Sequence, residues 1–204
     1  GALFVILYTV IGGFLAESAS DFMQGMVMFF SLVVVLTVGV RVAGGIPAVI
    51  ANVKQIPGFF DLFGIARPVL EKGVQQTGAS GQPLFGPAGS YGFLTIISTL
   101  SWGLGYFGMP QVLLKFMAIR KASELTLSRR IATIWCAISL VAAVAIGIIG
   151  RALYPEALLT QSTAENIFIL MTTKFFFPLL AGLVMAGILA ATISSSDSYL
   201  LIAA

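Results

Sequence analysis

"FPLLAGLVMAGILAATISSSDSYLLIAA" occupies residues 177–204. From Phe177 to Ile193 it holds no charged residue, and Thr192 is its only hydroxyl. Five small or polar residues follow, Ser194 to Ser198, with a carboxylate at Asp197, and the run then turns apolar again. A helix needs about 20 apolar residues to cross the hydrocarbon of a bilayer, and this stretch is long enough. Its apolar residues are continuous rather than alternating, which argues against a strand of a transmembrane barrel. In lipid only helices and closed barrels satisfy their own backbone, so the stretch reads as a membrane helix.

The rest of the chain agrees. Of 204 residues, 58% are hydrophobic and 9% charged, where a soluble domain carries about a quarter charged residues. Mean hydropathy is +1.03. The expected fold class is therefore an all-α membrane protein, a multi-span helical bundle in the cell membrane with the lipid bilayer as its surroundings. The formal net charge of +3 gives no reason to expect a nucleic-acid partner. Cys136 is the single cysteine, so no intramolecular disulfide forms, and it reads as a small packing residue. There is no histidine to relay protons or ligate a metal. The chain opens and closes inside apolar runs, which reads as a piece of a longer protein. No internal repeat is visible.

Five spans are expected, at about 1–16, 22–42, 91–118, 131–150 and 177–204. Two long connections separate some of them. Residues 43–90 hold Pro47, Pro57, Pro68, Pro83 and Pro87, and "PGFFDLFG" (57–64) reads as a short interfacial helix. Residues 151–176 include "STAENIFILMTTKF" (162–175), expected to form a short helix starting near Ser162 or Thr163. The densest basic segment, "RKASELTLSRR" (120–130), should face the cytoplasm. Alternation then puts 17–21 inside, and 43–90 and 151–176 outside. Lys115, Arg120, Arg129 and Arg130 read as topology anchors.

Two constellations stand out from the apolar background. The first is "SWGLGYFGMPQ" (101–111) in the third span. Pro110 removes a helix donor and leaves the Tyr106 carbonyl without its usual partner. Gly103, Gly105 and Gly108 lower the cost of unwinding. Irregular backbone at membrane depth belongs where it is packed in protein or lines a cavity, as in the broken helices of transporters. Trp102 and Tyr106, four apart, would share a face and wall a small ligand. The plainer alternative is a packing kink with an aromatic pair at the membrane interface.

The second is the end of the last helix. Ala191, Ser194 and Ser195 fall at i, i+3 and i+4, so a backbone carbonyl and two hydroxyls share one face. Hard cations select oxygen ligands of this kind. One turn of helix cannot encircle an ion, so another helix must complete the cage. The alternative is that the serines bond back to their own helix or fasten helices together. Asp197 weighs against that, because a carboxylate in a span is costly and usually functional. It lies about 30 Å from residue 177, towards the cytoplasmic face, where an interfacial aspartate would already meet water. Asp21, at the start of the second span, would either share a cation with Asp197 or cap its own helix.

Three stretches, "YTVIGGFLAESASDFMQG" (8–25), "SWGLGYFGMPQVLLKFMA" (101–118) and "NIFILMTTKFFFPLLAGLVMAGILAATISSSDSYLL" (166–201), resemble the sodium:solute symporter family, closest to its sodium/proline symporter branch. The resemblance implies a leucine-transporter-like inverted-repeat fold with ten core helices in two halves. This chain would supply the end of core helix 4 and helices 5 to 8, and the missing helices would complete the sites. It further implies sodium-coupled symport of a small organic solute, with proline as first choice, and no enzymatic chemistry. On this likeness Trp102, Tyr106 and Pro110 surround substrate. Ala191, Ser194 and Ser195 hold sodium. Asp21, Ser194, Asp197 and Ser198 form a second cation site. "ESASD" (17–21) departs from the branch's usual aromatic and threonine before the helix, and Asp197 stands where that branch often has an uncharged residue. Proton coupling through Asp197 or Asp21, and a non-transporting membrane sensor, are the rival readings.

Overall fold

The computed structural model of the chain describes residues 2–61, 63–78, 81 and 83–203. Gly1 and Ala204, the outer ends of the expected spans 1–16 and 177–204, lie outside the described residues, as does Leu62 of "PGFFDLFG". In chain order the elements are α1 (Ala2–Val42), α2 (Ile46–Val53), β1 (Gly64–Ile65), β2 (Leu70–Glu71), β3 (Val74–Gln75), β4 (Gly89–Ser90), α3 (Phe93–Gly105), a 3-10 turn (Tyr106–Gly108), α4 (Pro110–Met117), α5 (Glu124–Leu153), a second 3-10 turn (Pro155–Leu158), α6 (Gln161–Ala164), α7 (Ile167–Phe175) and α8 (Pro178–Ala203). Among the described residues three helices are long and apolar enough to cross a membrane: Val5–Val42, Glu124–Leu153 and Pro178–Ala203.

The first two expected spans are one 41-residue helix, α1, broken by non-helical backbone at Gly13 (φ 54°, ψ −148°). The expected break at 17–21 is absent, because "ESASD" is helical throughout. Gly13 occupies a backbone region open essentially to glycine alone, so the joint falls there. Glu17 and Ala19, by contrast, are good helix formers. Asp21 therefore sits inside a helix rather than capping one.

The third expected span, 91–118, is interrupted where its glycines and proline predict. α3 ends at Gly105, a 3-10 turn follows, Met109 is extended (φ −73°, ψ 120°), and Pro110 opens α4. Proline suits that position because a first-turn N–H has no helical acceptor to lose. The Tyr106 carbonyl accepts the Met109 N–H at 3.3 Å. α5 is longer than the expected 131–150 and takes in the basic residues from Glu124 onward. Cys136 is exposed on it rather than packed inside.

The chain divides into two compact units. The first comprises Gly1–Val34, Trp102–Ala142 and Phe176–Ala204. Its packing rests on small residues that let backbones approach. A Cβ added at Gly187 of α8 would meet the Ser31 hydroxyl at 2.6 Å and its Cβ at 2.9 Å. Ser31 is buried and donates to the Val27 carbonyl at 2.8 Å. Trp135 of α5 packs on α1, its ring centroid 5.3 Å from that of Phe29.

The second unit comprises Val35–Ser101 and Ala143–Phe175. Val35, Val49, Val53, Ile146, Ile149, Ile167 and Met171 are buried. Gly39 admits Met171 and Ile149 so closely that an added Cβ would lie 2.9 Å and 3.2 Å from them. Residues 57–61 and 63 form turns and a bend rather than the expected interfacial helix, and α2 supplies a helical piece just before them. Two short antiparallel ribbons follow: β1 with β4, and β2 with β3. Lys72 and Gly73 both have positive φ (50° and 83°) in the two-residue β2–β3 turn, the conformation that matches strand twist. Arg151 of α5 lies over the Phe85 ring at 4.9 Å and reaches Gln75 of β3 at 3.5 Å, holding this connection to the helix. The short helix expected near 162–175 appears as α6 and α7.

Candidate cation site

Helical geometry sorts the polar end of α8 by face. Ser194, Asp197 and Ser198 are at i, i+3 and i+4 and turn toward α1. Ser195 and Ser196 are exposed, and their hydroxyls donate to the carbonyls of Ala191 (3.1 Å) and Thr192 (2.8 Å) one turn earlier. That is the usual recourse of a serine in an apolar helix.

α1 supplies the partners on both sides of its Gly13 joint. Before it, the Tyr8 hydroxyl donates to one Asp197 carboxylate oxygen, and the Thr9 hydroxyl donates to the other at 3.2 Å. After it, Glu17 Oε1 accepts from the Ser198 hydroxyl at 2.7 Å, and Asp21 Oδ1 accepts from the Ser194 hydroxyl at 2.6 Å. Glu17 and Asp21 are one turn apart on α1. Glu17 and Asp197 are among the most deeply buried side chains, at 1% and 0% exposure. Such carboxylates persist only with donors or cations to meet them. Ser20 joins the cluster through Tyr8 at 3.2 Å, and Gln24 donates to Ser20 at 3.0 Å.

α4 adds a charge. Lys115 Nζ bonds to Asp21 Oδ2 and lies 3.5 Å from Glu17 Oε1. Lys115 is therefore a half-exposed partner of the acidic pair as well as a residue at a helix end. Its placement follows from the break at Met109, which starts α4 afresh and sets its last turn beside α1.

Of the residues singled out from the sequence, Asp21, Ser194, Asp197 and Ser198 come together in this cluster. Asp21 and Asp197 take different partners within it. Ala191 and Ser195 lie on the exposed side of α8, paired with each other. Trp102 and Tyr106 are 74% and 51% exposed, and Pro110 is exposed. Glu17, Lys115, Tyr8 and Thr9 were missed. The spacing of Glu17 and Asp21 was the available signal: two acids four apart in an apolar helix share a face. It was obscured by reading 17–21 as a loop.

The donor set consists of hydroxyls, a backbone carbonyl and carboxylates, all hard oxygens, which suits an alkali or alkaline-earth cation. Among the described residues no group of three or more His, Cys, Asp or Glu is arranged for a metal ion.

Comparison with known proteins adds the family. The model of the sodium:solute symporter family matches residues 1–204. The chain is 36% identical over 199 residues to the high-affinity proline transporter PutP of Bacillus subtilis, covering 97% of this chain and 37% of that protein. It is 36% identical over 201 residues to the osmoregulated proline transporter OpuE of the same organism, covering 98% of this chain and 36% of that one. It is 35% identical over 201 residues to a sodium/proline symporter of Staphylococcus aureus, covering 98% and 34% respectively. The chain thus spans about a third of the length of these relatives. No solved structure matches it.

Proposed function

The chain belongs to the sodium:solute symporter family, and from that premise we propose that it forms part of a multi-pass transporter coupling sodium entry to uptake of a small organic solute, proline in the first instance. The observation that carries the reading is the oxygen-rich face of α8 engaged by the buried Glu17 and the partly buried Asp21 of α1. An apolar helix gains nothing by burying Asp197 and Ser198 together unless charge is to be handled there.

On this reading the sequence contributes the end of core helix 4 and helices 5 to 8 of an inverted-repeat core, with external connections 43–90 and 151–176. Ala191, Ser194 and Ser195 hold the principal sodium ion. Ala191 and Ser195 lie on the exposed side of α8, with the Ser195 hydroxyl already directed at the Ala191 carbonyl, so both oxygens are within reach of an ion shared with another helix. Ser194 links that site to the second cluster of Asp21, Asp197 and Ser198. Trp102, Tyr106 and Pro110 line the substrate path beside the break between α3 and α4, where glycine-flanked backbone exposes polar groups to a solute. No covalent step is required. Bound sodium and bound solute raise each other's affinity by the same factor. The membrane potential adds about 2.3 kcal/mol per charge per 100 mV.

The test is uptake of labelled proline by the full-length protein in proteoliposomes, with sodium replaced by choline across a pH series. Uptake that requires sodium at every pH supports the proposal. Full uptake in choline driven by a pH gradient would instead assign the buried carboxylates to protons, and no uptake of any solute would favour a sensor.

A further inference from the structure

Lys115 occupies an unusual position for a residue at the end of a membrane helix. Its ammonium meets two carboxylates of α1, Glu17 and Asp21, and each of those carboxylates also accepts a hydroxyl from α8. Three helices are thus joined through one flexible side chain. The formal charges do not balance: two acids face one base. The partners also differ in freedom. Glu17 is buried and Asp21 partly buried, while the Lys115 side chain is 47% exposed. An ammonium on a four-carbon stem can swing out to solvent, whereas the carboxylates stay where the helix holds them.

We propose that Lys115 is a tethered cation that competes with sodium for the Glu17–Asp21 pair. This rests on the sodium reading above and adds its regulation. A free cation bound between Asp21 and Ser194 uses the carboxylate that Lys115 now holds. Two positive charges at contact distance from one carboxylate repel each other, so sodium entry expels the ammonium. Because Lys115 lies on α4, directly after the extended Met109, its departure frees α4 from α1 and α8. Ion binding is converted into loosening at the broken helix. With Lys115 in place the cluster is held closed without an ion.

The experiment measures radioactive sodium binding to the purified full-length transporter at constant ionic strength in choline, without solute. Lys115→Gln lowers the half-saturating sodium concentration about fivefold or more, the lower end of ordinary coupling between sites. Lys115→Arg, which keeps the charge, leaves it near the wild-type value. A misfolded variant loses binding and cannot mimic the gain. An unchanged or raised sodium requirement in Lys115→Gln overturns the proposal. Absence of saturable sodium binding in the wild type overturns the sodium reading itself. A second measurement needs no variant: acylation of the wild-type protein, read at Lys115 by peptide mass spectrometry, rises when sodium replaces choline. Equal or lower acylation in sodium overturns the competition.

Discussion

The hydroxyl of Ser198 on α8 donates to Oε1 of Glu17 on α1 at 2.7 Å, and both side chains are buried. The same oxygen lies 3.5 Å from the Lys115 ammonium. Removing the hydroxyl leaves a buried carboxylate short of one donor, at a cost of about 1–3 kcal/mol. Ser198→Ala should therefore lower the thermal stability of the protein in detergent, and Ser198→Thr, which keeps the donor, should lose less.

Ser194→Ala combined with Ser195→Ala removes two of the oxygens assigned to sodium. Asp21 Oδ1 loses its 2.6 Å donor and the exposed face of α8 loses its hydroxyl. The sodium concentration for half-maximal proline uptake should rise at least about tenfold, equivalent to roughly 1.4 kcal/mol. An unchanged sodium dependence would place the ion elsewhere.

Trp102→Ala should weaken solute binding while leaving sodium binding in the absence of solute close to wild type. Trp102 is 74% exposed, so truncation costs the fold little and the loss falls on whatever rests against the ring. Comparing proline and sodium binding on one preparation separates the two.

Gly187→Ala puts a methyl 2.6 Å from the Ser31 hydroxyl and 2.9 Å from its Cβ. Overpacking of this kind costs about 1–3 kcal/mol. The melting temperature should fall, and a second substitution, Ser31→Gly, should restore part of it. Ser31→Ala should restore less, because the Cβ remains.

Gly13→Ala places a side chain at φ 54°, ψ −148°, where residues other than glycine are strained by about 1–3 kcal/mol. Straightening α1 is the way to relieve that strain. Spin labels at the exposed positions Leu7 and Phe22 should move apart toward about 22 Å, the rise of an unbroken helix.

The membrane class, the last helix and the interruption at Gly103–Pro110 were legible in the sequence, because each rests on local chemistry: apolar length, missing donors and backbone freedom. The boundary of α1 was not. A polar pentad such as "ESASD" looks like a loop as long as its partners are unknown, and those partners are Ser194 and Ser198, more than a hundred and seventy positions later, and Lys115. Tertiary contact turned a solvent signal into an interior one. The ion pairs of Lys115 were missed for the same reason, since a lysine at a helix end is ordinarily read by its side of the membrane. The ribbons of residues 64–90 escaped because strands of two residues carry no alternation to detect, although the Lys72–Gly73 pair is an ordinary hairpin signal.

The joint at Gly13 has a mechanical meaning. Tyr8 and Thr9 hold Asp197 from one arm of α1, while Glu17 holds the adjacent Ser198 from the other. Neighbouring residues of a rigid helix cannot follow two arms that part, so flexing the elbow must break one grip while the other survives. α1 can hinge only by choosing which hand to let go.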